Sequence, residues 1–70
     1  MKAKDNPYRV AVGQIWRRIR KDRPNKFKVI DFEKSAEKKE VTFYAVVEYL
    51  KGKHLRKINL ANFGDYKLSK

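Results

Sequence analysis

Seventy residues leave room for one domain with one modest core, because a chain this short buries only about 60% of the surface its unfolded form exposes; a deep catalytic pocket is not expected. Hydrophobic residues make up 41% and aromatics 13%, too apolar for a disordered tail, while no cysteine and a single histidine, His54, argue against disulfide staples and metal centres. Nineteen Lys+Arg against eight Asp+Glu give a net charge of +11, which attracts polyanions.

In chain order, residues 1–7 are charged, polar and closed by Pro7, and read as a flexible basic tail ahead of one domain over residues 8–70. No apolar signal segment follows this start, and no apolar run approaches the ~20 residues that cross a membrane. The expectation is therefore an intracellular, cytoplasmic protein with no membrane partner. No hydrophobic pattern of helical period is sustained. Short runs of Val, Ile, Phe and Tyr between turn residues predict strands instead.

The first strand is expected over residues 10–20, kinked near Gly13. Asp22-Arg23-Pro24-Asn25 forms a turn, since Pro24 presets φ and Asn25 tolerates the left-handed region. A second strand spans 26–33. Its apolar parity switches between Phe27/Val29 and Ile30/Phe32, the mark of a bulge near Val29-Ile30 or of burial on both faces. Ser35-Ala36-Glu37-Lys38-Lys39 reads as a polar connector. A third strand over 40–50 places Val41, Phe43, Ala45, Val47 and Tyr49 on one face. Lys51-Gly52-Lys53 turns the chain into a fourth strand, 54–60, with Ile58 and Leu60 inward. Ala61-Asn62-Phe63-Gly64 suits one 3-10 turn, and Tyr66-Lys67-Leu68 closes the chain as a last strand. The expected core is Val29, Phe43, Ala45, Val47, Ile58 and Leu60.

Five strands with a single helical turn before the last is the order of an SH3-like barrel. The opening Val12-Gly13-Gln14-Ile15-Trp16 and the closing Phe63-Gly64-Asp65-Tyr66-Lys67-Leu68 resemble small SH3-like barrel proteins of the kind often encoded by phages and prophages. That resemblance implies an all-β, five-stranded barrel and a phage-type setting. Gly13-Gln14-Ile15-Trp16, Arg23-Pro24 and Lys28-Val29-Ile30 also resemble the start of PemK-type endoribonuclease toxins, which share an SH3-like core; no catalytic residue is carried over from them.

Charge is distributed unevenly. Residues 1–28 hold ten basic and two acidic side chains, residues 29–50 three and five, and residues 51–70 six and one. A closed barrel would gather the two basic segments on one side. Arg17, Arg18, Arg20 and Arg23, with Lys26 and Lys28 across the turn, form the densest group. Consecutive strand residues point opposite ways, so Arg17 and Arg18 would make a rim, not a flat surface. Lys53, Arg56 and Lys57 form a second group. Trp16 has two readings: a base-stacking ring flanked by Arg18 and Arg20, or a core residue, which a small domain favours for its only tryptophan. Tyr44 is a further stacking candidate on the opposite parity from Phe43 and Ala45.

No phosphate-binding glycine loop, nucleophile with a nearby base, or metal-ligand spacing is visible, so neither catalysis nor a cofactor is expected. The sequence points to a non-catalytic module that contacts DNA or RNA phosphates with little base specificity, since no helix is available for the major groove. The alternative is a small phage-type protein that modulates an acidic host protein through a strand edge or an aromatic patch.

Overall fold

The computed structural model describes residues 3–19 and 26–69. Its strands are β1 (Ile15–Arg18), β2 (Phe27–Glu37), β3 (Glu40–Tyr49), β4 (Leu55–Asn59) and β5 (Tyr66–Leu68), with 3-10 turns at Ala3–Asp5 and Leu60–Asp65. They make one five-stranded antiparallel sheet in the order β4-β3-β2-β1-β5. The first four strands follow one another as neighbours. The 3-10 turn before β5 then carries the chain to the far side of β1. Asn59 starts that turn by accepting a hydrogen bond from the Ala61 amide at 2.9 Å, the usual role of an asparagine at a helix start.

The mostly-β reading, the 3-10 turn before the last strand and the limits of β5 all hold. The parity switch in β2 is a true bulge. The pairing steps from Val29↔Val47 to Asp31↔Val46, leaving Ile30 without a partner. Two boundaries need correction. β1 is four residues long, because the chain turns at Val12-Gly13, where Gly13 takes φ +97°; Gly13 and Gln14 still exchange backbone hydrogen bonds with Val29. The polar stretch 35–39 is not a connector. β2 and β3 stay paired to Glu37↔Glu40, and only Lys38 and Lys39 form the turn. A ladder satisfies backbone groups whatever the side chains, so a polar ribbon needs no apolar face.

The core lies on one face of the sheet and beneath the second 3-10 turn. Val29, Ala45, Val47, Ile58 and Leu60 are buried as expected, joined by Val10, Trp16, Phe27 and Phe63. Phe43 is a correction: it is half-buried, and Val41 on the same face is exposed. The phase of β3 is right: Phe43 packs against the edge of the core, beyond Ala45, the last fully buried residue of the strand in that direction. Trp16 is in the core, 5% exposed, with its ring edge-on to Phe63 at 5.1 Å. Its indole N–H donates to Gln14 Oε1 at 3.1 Å, so the one polar atom of the ring is satisfied.

Residue 10 is held by an exchange of two hydrogen bonds. The Asn6 side-chain amide donates to the Val10 carbonyl at 2.8 Å, and the Val10 amide donates back to Asn6 Oδ1 at 2.9 Å.

Candidate nucleic-acid interface

Alternating strand direction decides which charges meet. In an antiparallel meander the end of one strand lies beside the start of the next. The ends of β1 and β3 and the starts of β2, β4 and β5 therefore share one end of the sheet. That end carries Arg17, Arg18, Lys26, Lys28, Lys51, Lys53, Arg56 and Lys67, against Glu48 and Asp65. The other end, around the β2–β3 turn, balances Lys34, Lys38 and Lys39 with Glu33, Glu37 and Glu40. Two basic groups far apart in sequence thus become one.

The register also separates faces. Arg17 lies directly opposite Lys67, a like-charged cross-strand pair on the outer face. Arg18 lies opposite Tyr66 on the other face, so the two arginines point to opposite sides of the sheet. Lys28 is flanked by Ile15 and Glu48. Among the described residues the one ion pair is Lys57 with Glu33, at 2.8 Å. Lys57 is therefore partly neutralised, while the cations at the basic end have no described carboxylate within 4 Å.

Three expected contact residues do not join this end. Trp16 is enclosed in the core and offers no face to a base. Tyr44 stands on the outer face between Glu33 and Asn59, away from the arginines. Lys57 turns toward Glu33. Arg20 and Arg23 lie outside the described residues.

Two aromatics that the sequence did not single out do belong to it. Tyr49 ends β3 and Tyr66 begins β5, both half-buried at the edge of the core. Each ring packs edge-on against the fully buried Phe27, at 5.7 Å and 5.2 Å. Each carries an arginine. Arg56 donates to the Tyr49 hydroxyl at 3.2 Å, and the Arg18 guanidinium lies 6.0 Å from the centre of the Tyr66 ring. The Tyr49 hydrogen bond raises the Arg56 pKa above its ordinary value, helped by the electrostatic influence of Tyr49 and, least of all, of Tyr66, and opposed by desolvation. A tyrosine in a strand looks like ordinary packing in a sequence. Only the pairing of β5 with β1 brings Tyr66 to Arg18.

A shallow groove of about 270 Å³ lies toward the other end, between Lys4, Asp5 and Pro7 and the strand residues Thr42, Phe43 and Asn59. Its single lysine and single aspartate balance. Among the described residues no three metal-ligating side chains converge, and no helix is long and apolar enough to cross a membrane. Comparison with protein-family models, with curated proteins and with solved structures finds no match.

Proposed function

We propose that the chain is a non-catalytic, cytoplasmic nucleic-acid-binding module with an SH3-like barrel architecture, of the small phage-type class it resembles. It holds DNA or RNA mainly through phosphates and with little base preference. The observation that carries this reading is the gathering of eight basic side chains against two carboxylates at one end of the sheet. Phosphates supply the counter-charge that the described carboxylates do not. Each phosphate neutralised releases counterion, so affinity falls with salt at a log-log slope of about −0.9 per contact on duplex DNA and about −0.7 on single strands. Four to six engaged side chains give a slope of roughly −3 to −5.

Position, not charge alone, is the test. Lys26→Ala with Lys28→Ala and Lys34→Ala with Lys39→Ala remove the same charge from opposite ends of the sheet. The first pair should flatten the salt slope by up to ~2, and the second should leave it unchanged. Fluorescence anisotropy with short labelled oligonucleotides across a salt series reads both. Equal effects of the two pairs would mean diffuse attraction with no interface.

One feature favours a protein partner as a second reading. The outer edge of β4 pairs with no described strand, and Leu55 beside it is 64% exposed. A strand edge of this kind accepts an added strand. Such a contact would survive salt that strips nucleic acid from the basic end.

A further inference from the structure

We infer that Tyr49 and Tyr66, with Arg56 and Arg18, form a site for an unpaired nucleobase and its adjoining phosphates, so that the protein prefers single strands to duplex. This rests on the phosphate-binding reading above and adds a second recognition element to it. The cluster is drawn from β1, β3, β4 and β5 and converges over one floor, the buried ring of Phe27. Its rings are only half-buried, although Phe27, Phe63 and Trp16 of the same aromatic group are enclosed. Packing alone therefore leaves part of each phenol uncovered at the mouth of the core, at the end of the sheet that carries the excess of cations.

The chemistry of the four residues is complementary to an unstacked nucleotide. Every base has a π-face, and aromatic side chains and guanidinium planes both stack on it without regard to sequence. A guanidinium has five N–H donors. In Arg56 one of them is engaged by Tyr49, and the others remain for phosphate oxygens. The tyrosine contacts hold both arginines near their rings, which lowers the ordering cost of a phosphate contact. A duplex buries its base faces in its own stack, so it can use the cations of this end but not the rings.

The test uses the full chain and three probes of equal length: oligothymidylate, its abasic counterpart with the same phosphates, and a duplex. In anisotropy titrations, oligothymidylate should bind about 5- to 150-fold more tightly than the abasic strand, with the same salt slope. Tyr66→Leu should narrow that difference, Tyr49 still offering a ring, and Tyr66→Phe should keep it, since stacking needs the ring and not the hydroxyl. Lys26→Ala with Lys28→Ala should flatten the slope yet leave the base preference intact. Equal binding of the thymidylate and abasic strands by the unaltered protein would overturn the site while leaving the phosphate reading standing. That comparison needs no variant to fold. Absence of binding to all three probes at low salt would overturn both.

Discussion

Phe27 touches three other rings: Tyr49 at 5.7 Å, Tyr66 at 5.2 Å and Phe63 at 6.2 Å. It is fully buried. Removing it leaves a cavity at the junction of β2, β3, β5 and the second 3-10 turn. Phe27→Ala should cost about 3–5 kcal/mol, a large share of the ~5–15 kcal/mol that holds a domain together. Phe43 reads alike in sequence, as an aromatic on the inward parity of its strand, but it is only half-buried. Phe43→Ala should cost about 1–2 kcal/mol, near half the transfer energy of a fully buried ring. Urea denaturation of the two variants checks the order, and a larger loss at Phe43 would mean the core extends along the ribbon. Parity was legible at both positions; depth was not, because depth depends on where the 3-10 turn lies over the sheet. Trp16 shows the same division. Alternation with Arg17 and Arg18 leaves its face open, and the contact with Phe63 from a distant turn decides it.

The β2–β3 ribbon is the element least expected. From Lys34↔Phe43 to Glu37↔Glu40 it has no neighbouring strand among the described residues, and it lengthens a body of 37 × 21 × 20 Å. Strand prediction relies on apolar alternation, and this stretch has little, so its sequence resembles a loop. The bulge beside Ile30 was legible because an apolar parity switch inside one strand demands either an extra residue or burial on both faces. The ribbon turns through two residues, and the first, Lys38, takes φ +56°. A side chain in that region costs roughly 1–2 kcal/mol, and glycine avoids it at a smaller entropic loss. Lys38→Gly should therefore raise stability by about 0.5–1 kcal/mol, measured by thermal unfolding. The same substitution removes a cation from the end opposite the proposed interface, so on that proposal nucleic-acid affinity should hardly change. A destabilised Lys38→Gly variant would show that this turn is not under backbone strain.

At the scale of the molecule, charge density was legible and charge geometry was not. The two basic segments are separated in sequence by the acidic middle, and they meet because antiparallel strands return to the same end. This crowding has an energetic consequence for the free protein. Two unit charges about 8 Å apart in water repel by about 0.5 kcal/mol. Arg17 opposite Lys67 is one such neighbour pair, and the carboxylates Glu48 and Asp65 are too few to offset eight cations. The Debye length is about 30 Å at 0.01 M salt and about 8 Å at 0.15 M, so added salt relieves the repulsion. The melting temperature of the free protein should therefore rise between these salt concentrations, while affinity for oligonucleotides falls over the same range. Both responses come from the same side chains and should change together. Replacing Lys26 and Lys28 by Gln should reduce the salt-induced stabilisation and flatten the binding slope. Replacing Lys34 and Lys39 by Gln should do neither, because those lysines already stand among glutamates. Thermal unfolding and anisotropy, run on both double variants in matched buffers, give the two responses side by side. A melting temperature that is flat or falls with salt would show that the basic end carries no uncompensated charge, and the electrostatic basis of the proposed interface would go with it.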